Sequence, residues 1–501
     1  MKDKILFWID ANLIYLGLAK FLQDRYDCEL FAIAETTSKT KKFLYQQQIV
    51  KFNKIWYFFD QILKTNKKPG ISYLISFEEK YQVNLLLLAY NERIFYEYNE
   101  YYKFTTDEVL LILEQECRLF ESILDEVKPD FLVMAAPNFH YNYLLSKICK
   151  ARGIKTLILG PSRLGGRSMI SEELDKMDDT KITNPNTMKT LEELQKFLKE
   201  FDVYIENEEF KKKYVSSKWL KFRAALQFIL SNNDNIKINF TYYGRTKLKI
   251  IWRALIWLLR ERYRKFFINK YLSQEIDEKT PFIYFPLQID IESTLLIGTP
   301  FYTNQLELIK HIVKSLPIGY NLYVKDHPLQ NTRGWRSVSF YKQIMNLPNV
   351  RLLHHSISPN EIIKRCSLVI TIASTAGLEA AFHKKPSIVF ADVLYSMLPS
   401  VYKLKTIDEL PHAIRTCLRT NVDVSDLNNY VDLIIKNSFE FSLSKLFSDY
   451  DDFFFYGGFL INVDISQSKM ISFLEKNRER FEKLTLEHIK KIEYYRKSKQ
   501  N

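Results

Sequence analysis

Glycine is scarce in this chain, with 13 residues among 501, and no stretch is rich in proline, serine or glycine. The composition therefore gives no sign of a long disordered segment, and a hydrophobic content of 47% supports folded cores. A single domain rarely reaches this length, so we expect two domains with additional helices. Against so few glycines, the pair Gly165-Gly166 and the isolated Gly377 stand out.

Cysteines are also few, and they lie far apart in the sequence. None of the five forms a CxxC pair, which excludes a disulfide framework or a zinc site and predicts reduced, packed thiols. The opening MKDKILFWID lacks a hydrophobic signal segment, and no apolar run reaches the length of a membrane span. We therefore expect a cytoplasmic protein.

Strands alternate with helices in the first part of the chain. Ile5–Ile9 is predicted as a short buried strand that ends at Asp10, and two more apolar strands follow at Phe131–Ala135 and Thr156–Leu159. Helices separate these strands, which is typical of a parallel α/β sheet. The segment Thr36–Lys103 is predicted to be helical and aromatic, and its pattern does not place it in a sheet.

The rest of the chain has a helical part, a second alternating part and a helical tail that ends with a predicted helix at Lys469–Lys499. The fold class predicted is α/β, with two Rossmann-like domains of GT-B architecture facing across a cleft, a helical connector and a helical C-terminal tail. The predicted segments are an N-terminal acceptor domain, a basic connector, a nucleotide-sugar-binding domain and an extension, at residues 1–183, 184–278, 279–425 and 426–501.

The most informative stretch is LVITIASTAGLEAAFHKKPSIVF, at residues 368–390. A predicted strand runs into a small turn of Ala373, Ser374, Thr375, Ala376 and Gly377, and a helix follows from Leu378. Backbone N–H groups and hydroxyls at the positive end of a helix can hold a phosphate. Ser374 and Thr375 can equally be ordinary helix caps.

Glu379 lies on the first turn of that helix. Its carboxylate can accept hydrogen bonds from ribose hydroxyls, or it can simply complement the helix dipole.

Two other predicted strands end in polar residues. One runs into Lys325-Asp326-His327-Pro328, where the proline keeps His327 extended at the carboxyl end of its strand. The other ends with Gln288, Asp290 and Glu292 at alternate positions, which can bind sugar or a hydroxyl nucleophile or can form a solvated loop. Ligands of open α/β sheets bind at this edge, although a histidine here can also serve only as a strand cap.

Residues Pro281–Ala413 resemble the bacterial capsule polysaccharide biosynthesis family, which includes retaining Kdo transferases. The resemblance is carried by Pro-Leu-Gln followed by acidic residues, by Lys-x-His-Pro, and by Ser-Thr-x-Gly-Leu-Glu-Ala before a Lys-Pro strand. Here these motifs read Pro286-Leu287-Gln288-Ile289-Asp290, Lys325-Asp326-His327-Pro328, Ser374-Thr375-Ala376-Gly377-Leu378-Glu379-Ala380 and Lys385-Pro386.

The resemblance implies a GT-B glycosyltransferase that transfers a sugar from a nucleotide-activated donor, such as CMP-Kdo, to a surface polysaccharide or a lipid-linked acceptor. His327, Ser374 and Thr375 would hold the donor phosphate, with Lys325, Pro328, Ala376, Gly377 and Glu379 beside them. His327, Asp290 and Glu292 are the catalytic candidates. Asp10 and Arg163, the latter within residues 160–167, are the acceptor-side candidates. No cofactor and no metal ion are expected.

Other functions remain open from the sequence. The same architecture suits a sugar-nucleotide epimerase, a polyol-phosphate transferase, or a non-catalytic scaffold of a capsule assembly complex. Calorimetry with a panel of nucleotide sugars separates the scaffold from the enzymes, because a scaffold would bind none of them.

The basic connector permits three interpretations. A helix from Arg245 to Leu272 carries a basic stripe beside apolar residues and two tryptophans, which is typical of helices that lie on anionic membranes. The second interpretation is a helix that packs on the domains with a solvated basic face. Nucleic acid is the third interpretation, but no nucleic-acid-binding module accompanies the charge, so we expect no such partner. The stripe consists of Arg245, Lys249, Arg253, Arg260 and Arg264.

Overall fold

The computed structural model describes residues 2–181, 188–200, 218–230, 235, 239–277, 279–330 and 334–500. Parts of the predicted connector, at residues 184–187, 201–217, 231–234, 236–238 and 278, lie outside the described residues. By its internal contacts the chain divides into two compact units. The first unit comprises the described parts of Met1–Asp178, Phe201–Lys247 and Asn437–Asn501, and the second those of Asp179–Glu200 and Leu248–Lys436.

The first unit is built on a seven-stranded sheet with the order β13-β6-β5-β4-β1-β2-β3. The strands from β5 to β3 are parallel, whereas β6 pairs antiparallel with β5, and β13 pairs antiparallel with β6. The strands are β1 Asp3–Ile9, β2 Cys28–Ala34, β3 Lys54–Tyr57, β4 Phe131–Ala135, β5 Lys155–Pro161, β6 Arg167–Ser171 and β13 Phe439–Glu440.

Hydrophobic cores cover both faces of this sheet. In β1, Ile5, Phe7 and Ile9 enter one core, while Leu6 and Trp8 enter the other. Successive side chains of a strand point to opposite faces, so a strand buried on both faces is a continuous apolar run. The helices are Ile14–Gln23, Ser38–Gln46, Phe58–Gln61, Ile71–Tyr81, Leu85–Asn91, Thr106–Val127, His140–Ala151, Lys218–Leu230, Leu443–Phe454, Gln467–Lys476 and Arg478–Gln500, with a 3-10 turn at Phe240–Tyr242.

The last part of the chain completes the core of this first unit. Phe473, Leu474 and Phe481 of the C-terminal helices are buried in the same core as Ile5. At Gly17, in the first helix, a Cβ atom would lie 2.6 Å from the Phe481 ring and 2.8 Å from Leu474. Only glycine allows the first helix and the tail to approach this closely.

The second unit contains a six-stranded, all-parallel sheet with the order β12-β11-β10-β7-β8-β9. Counted from its own first strand, this order is 6-5-4-1-2-3, that of a doubly wound sheet. In the first unit, the four adjacent strands β4-β1-β2-β3 have the corresponding order 4-1-2-3. The strands are β7 Phe282–Pro286, β8 Asn321–Lys325, β9 Val350–Leu353, β10 Leu368–Thr371, β11 Ser387–Val389 and β12 Val401–Lys403.

Helices cover both faces of the second sheet as well. Ile283 and Phe285 of β7 enter one core, and Phe282 and Tyr284 enter the other. The helices are Leu191–Glu200, Lys247–Tyr271 (in this unit from Leu248 onward), Ser293–Leu296, Gln305–Ser315, Val338–Met345, Pro359–Arg365, Ala376–Phe382, Leu410–Cys417 and Val424–Asn437, with 3-10 turns at Leu394–Met397 and Ile407–Glu409.

The predicted fold class is confirmed as α/β with two largely parallel sheets, and three expectations about elements need correction. The segment Thr36–Lys103 contributes a strand, β3, which pairs with β2. The predicted helix Lys469–Lys499 is two helices that meet at Asn477. The helix of the Ser-Thr turn begins at Ala376 instead of Leu378.

The predicted domain boundaries remain predictions. The two contact-based units do not follow them, because each unit takes part of the predicted connector and part of the predicted tail. Among the described residues, no helix combines the length and the apolar composition needed to cross a membrane.

Candidate functional site

The carboxyl ends of β7 and β10 meet at the switch point of the second sheet. β7 pairs with β8 on one side and with β10 on the other, so the chain leaves these two neighbouring strands in opposite directions. In the amide orientation that satisfies its neighbours, Gln288 Oε1 accepts hydrogen bonds from the N–H groups of Ala373 (3.1 Å) and Ser374 (2.9 Å). The structure therefore brings the Pro-Leu-Gln and Ser-Thr motifs together.

Gln305, at the start of its helix, fixes the chain beyond β7. Its Oε1 accepts from the Gln288 N–H at 2.8 Å, and its Nε2 donates to the Gln288 carbonyl at 2.8 Å and to Asp290 Oδ1 at 2.7 Å. Gln305 and Gln288 are both buried. Because its amide satisfies three backbone and side-chain groups, Gln305 holds Asp290 in one place.

The hydroxyls of the Ser-Thr turn take part in local hydrogen bonds. Ser374 Oγ accepts from the Ala376 N–H at 3.2 Å, and Thr375 Oγ1 donates to Glu379 Oε1 at 2.8 Å. Gly377 is required here because a Cβ atom would lie 2.8 Å from the Tyr395 hydroxyl, which itself donates to the Ser374 carbonyl. Ser374 Oγ keeps its proton available for donation to a ligand.

His327 follows β8 by two residues and is half-buried. Its Nδ1 accepts a hydrogen bond from the Leu329 N–H at 3.1 Å, so the neutral ring carries its proton on Nε2. β7 lies between β8 and β10, which puts the ends of these outer strands about 10 Å apart. A phosphate group with its sugar or nucleoside can span that distance.

Arg336 ties the ends of β7 and β8 together, although sequence reasoning missed it. Its guanidinium donates to Asp326 Oδ1 at 2.9 Å, and it also bonds Asp290 and the Gln288 carbonyl. Burial alone would lower the pKa of Arg336, but the carboxylates of Asp326 and Asp290 raise it above its ordinary value. Asp290 is thereby held by Arg336 and Gln305.

The remaining predicted residues of this site occupy three different settings. Lys325 is the buried last residue of β8, with its ammonium 3.5 Å from the Asp326 carbonyl oxygen. Pro328 directly follows His327, and Glu292 precedes the short helix Ser293–Leu296. The catalytic roles of His327, Asp290 and Glu292 remain predictions.

A second group of polar residues lies at the carboxyl edge of the first sheet. Asp10 follows β1 and Glu35 follows the neighbouring β2. Glu35 accepts from the Tyr141 hydroxyl at 2.7 Å and from Trp8 Nε1 at 3.2 Å. Asp10 Oδ2 accepts from Asn12, whereas its Oδ1 is buried without a hydrogen-bond partner among the described residues.

Burial makes these carboxyl groups unusually easy to protonate. It raises the pKa of Asp10 to about 7, with a smaller contribution from the Asp451 charge. It raises the pKa of Glu35 to about 8, and the charge of Asp10 adds to this shift. Burial also raises the pKa of Asp451 to about 6. The edge therefore holds carboxyl groups that exchange protons near neutral pH.

Arg163 lies at the same sheet edge but farther along it. It follows β5, which is separated from β1 by β4, and its Nε and terminal nitrogen pair with Asp175 at 2.7 and 2.5 Å. The structure places Asp10 beside Glu35, while Arg163 lies two strands away. Its acceptor-side role remains a prediction.

Sequence reasoning missed Arg336, Gln305, Tyr395 and Glu35. Glu35 carried a usable signal, because it directly follows the apolar run Phe-Ala-Ile-Ala at residues 31–34. Arg336, Gln305 and Tyr395 lie in helices or loops without a motif, and their contacts reach residues 17 to 48 positions away.

Comparisons with solved structures return weak likenesses. The beta Kdo 2,7 transferase KpsC of Thermosulfurimonas dismutans is 13% identical, with 62% of this chain and 79% of that chain covered and a TM-score of 0.29. The UDP-GlcNAc 2-epimerase of Neisseria meningitidis, bound to UDP-GlcNAc, is 12% identical, with coverages of 86% and 98% and a TM-score of 0.27. At such TM-scores neither likeness bears on what this chain does.

The UDP-GlcNAc 2-epimerase of Methanocaldococcus jannaschii, in complex with UDP-GlcNAc and UDP, is similar at the same level. It is 11% identical, with 87% of this chain and 99% of that chain covered and a TM-score of 0.25. No curated protein matches the chain.

One family model matches, that of the capsule polysaccharide biosynthesis proteins, over residues 238–403. The match contains all of the motif residues on β7, β8 and β10, and it also includes the helix Lys247–Tyr271. It begins upstream of the stretch that carries the predicted resemblance, and it ends at the last residue of β12. The resemblance predicted from the sequence is therefore confirmed: residues 238–403, about a third of the chain, are similar to the capsule polysaccharide biosynthesis proteins.

Proposed function

We propose that the protein is a glycosyltransferase that uses a nucleotide-activated sugar in surface polysaccharide assembly. One observation carries this proposal. The Gln288 and Ser374 motifs meet at the switch point of a doubly wound sheet, and the His327 motif follows the neighbouring strand β8, all within the residues that match the capsule biosynthesis family. Ligands of such sheets bind in the crevice at this point.

His327 and the Ser-Thr turn would hold the donor phosphate. The protonated Nε2 of His327 and the Ser374 hydroxyl donate hydrogen bonds to the phosphate oxygens. Negative charge develops there as the bond between the sugar and the phosphate of the donor breaks. Arg336 acts at a distance from the phosphate, because its guanidinium is already bonded to Asp326 and Asp290. Its role is to position the ends of β7 and β8. The hydrogen bonds from His327 and Ser374 would stabilise the charge on the departing phosphate.

Asp10 and Glu35 would handle the acceptor. A carboxylate that exchanges its proton near neutral pH can take the proton of an attacking hydroxyl. The partnerless oxygen of Asp10 suits that task, and burial together with the nearby charge of Asp451 raises its basicity. Arg163 would contact the acceptor farther along the same edge.

The donor sugar we propose is Kdo carried on CMP or a similar activated sugar, and the acceptor is a growing polysaccharide or a lipid-linked saccharide. A lipid-linked acceptor places the enzyme in the cytoplasm at the inner face of the membrane, in contact with anionic lipid. The composition of the helix Lys247–Tyr271 fits such a contact.

A donor-binding screen tests the proposal. Titration calorimetry with CMP-, UDP- and GDP-sugars should give binding to one nucleotide class, and a protein that binds none would be a scaffold. Product formed from the donor alone, without an acceptor, would instead establish an epimerase.

The His327→Ala variant tests the site itself. The ring accepts a hydrogen bond from the Leu329 N–H and is half-buried, so we expect its loss to reduce unfolding stability less than it reduces turnover. Turnover should fall by about a hundredfold or more, since a donor to the developing charge is lost. The variant His311→Ala, on the helix Gln305–Ser315, is the matched control. Full turnover in His327→Ala would contradict the assignment.

A further inference from the structure

The helix Lys247–Tyr271 carries an apolar arc that is open to solvent. Leu248 is 82% exposed, Leu259 is 69% exposed and Trp252 is 64% exposed, values that are unusual for large apolar side chains. Steps of three or four residues relate the members of the arc, so all of them lie on one face of the helix. The arc consists of Leu248, Trp252, Leu255, Leu259, Tyr263 and Phe266.

The other side of this helix is anchored to the second unit. Phe267 and Ile268 are buried in its core. Glu261 accepts a hydrogen bond from the Trp335 N–H at 3.1 Å, and the Trp257 indole lies against Gly334. These contacts fix the rotation of the helix about its axis, so the apolar arc points away from the core of the second unit.

Cationic residues run along both flanks of the arc. The helix contains eight Lys or Arg residues and one Glu. At 100° per residue, Lys249, Arg253 and Arg260 fall on one flank, and Lys247 and Lys265 fall on the other. Arg245, which was predicted to share the stripe, instead precedes the helix and stacks on Tyr101 at 5.2 Å.

We propose that this helix lies in the plane of an anionic membrane surface. The arc would enter the boundary between headgroups and acyl chains, while the flanking cations contact acidic headgroups. The inference deepens the membrane contact of the proposed function by naming the interface and its lipid chemistry. Lipid binding itself requires no glycosyl transfer.

Charge favours lipid over a second copy of this chain as the occupant of the arc. In a twofold pair the same patch meets itself, so two strongly basic helices would face each other across the interface. An acidic lipid surface instead complements the cations on both flanks.

A second helix also exposes large apolar side chains at helical spacing. In Lys218–Leu230, the residues Trp219, Phe222, Leu226 and Ile229 are exposed at helical spacing. The ammonium of Lys247 donates to the Ile229 carbonyl at 2.7 Å.

Vesicle sedimentation with the full-length chain tests the proposal. Vesicles of phosphatidylglycerol with phosphatidylcholine should bind the protein, whereas vesicles of phosphatidylcholine alone should bind it far less. The double variant Trp252→Ala/Leu259→Ala should bind about tenfold more weakly or worse. Phe301→Ala/Ile318→Ala is the control, because these residues are as exposed but lie elsewhere (81% and 104%).

The cations are tested in the same assay at low salt. The triple variant Lys249→Gln/Arg253→Gln/Arg260→Gln should lose on the order of a hundredfold in binding. The variant Lys314→Gln/Lys364→Gln/Lys405→Gln removes the same charge from other exposed positions and should lose much less.

Three results would overturn the inference. They are no binding of the wild type to phosphatidylglycerol vesicles, unchanged binding by both helix variants, and a change of oligomeric state on Trp252→Ala/Leu259→Ala with vesicle binding intact. Donor calorimetry on the same variants keeps the two proposals apart, because none of these side chains belongs to the donor site.

Discussion

At the scale of single residues, the two carboxyl groups at the edge of the first sheet determine a pH dependence. The folded state raises the pKa of Asp10 to about 7 and that of Glu35 to about 8, so it binds their protons more tightly than the unfolded chain does. The stability that these protons provide is present at low pH and is lost as the pH rises to about 8.

The free energy of unfolding should therefore fall between about pH 5 and about pH 8, by up to about 1.4 kcal/mol per pH unit for each group. Urea unfolding across this range measures it. Asp10→Asn/Glu35→Gln should flatten the dependence, since amides mimic the protonated groups. Asp27→Asn/Glu79→Gln removes exposed acids and should leave the slope intact. If Asp10→Asn/Glu35→Gln kept the wild-type slope, these two carboxyl groups would not be the source of the pH dependence.

At the scale of elements, the sequence predicted buried strands better than strands that are identified only by their pairing within a sheet. β1, β4, β7 and β10 are apolar on both faces, so each is a continuous hydrophobic run that local pattern can detect. β3 was missed because it is a four-residue edge strand with an exposed lysine at its start, and only its pairing with β2 identifies it.

The site was partly predictable for the same reason. His327, Gln288 and Ser374 follow apolar strands, and parallel strands bring their carboxyl ends to one edge. Nothing local marks Arg336, whose bonds reach Asp290 and Gln288 more than 40 residues earlier in the chain. Side-chain partners of that kind are fixed by the tertiary fold.

Arg336 joins two elements, so its loss should loosen both. Arg336→Met leaves the carboxylates of Asp326 and Asp290 without their cation and should destabilise the second unit by about 3–5 kcal/mol. Adding Asp326→Asn should recover part of that loss, as a double-mutant cycle by urea unfolding would show.

Donor binding by calorimetry should fall in Arg336→Met and partly return in Arg336→Lys. Arg351→Met removes an exposed ion pair with Asp277 and serves as the control, with a change below about 1 kcal/mol. If Arg336→Met changed neither the free energy of unfolding nor donor binding, Arg336 would not position the ends of β7 and β8.

At the scale of the whole molecule, the first unit is assembled from distant parts of the chain. The close approach of Gly17 to Phe481 and Leu474 predicts that Gly17→Ala destabilises this unit by about 1–3 kcal/mol. The loss should be smaller in a Phe481→Leu background, because the ring atoms nearest to the new Cβ are then absent. Additive effects in that cycle would contradict the packing.

Limited proteolysis provides a second measurement of Gly17→Ala. Cleavage should increase first within the C-terminal helices, since they detach when the contact with the first helix is strained.

This arrangement has a consequence for synthesis. A ribosome delivers the sheet strands β1–β6 first, yet Phe473 and Phe481, which close one of their cores, are made only after the whole second unit. Until then the nascent chain presents an uncovered apolar sheet face to chaperones and proteases, while the second unit can already be folded. A stop codon after residue 436 would therefore yield a polypeptide that keeps the residues of the proposed donor site yet is destined for degradation.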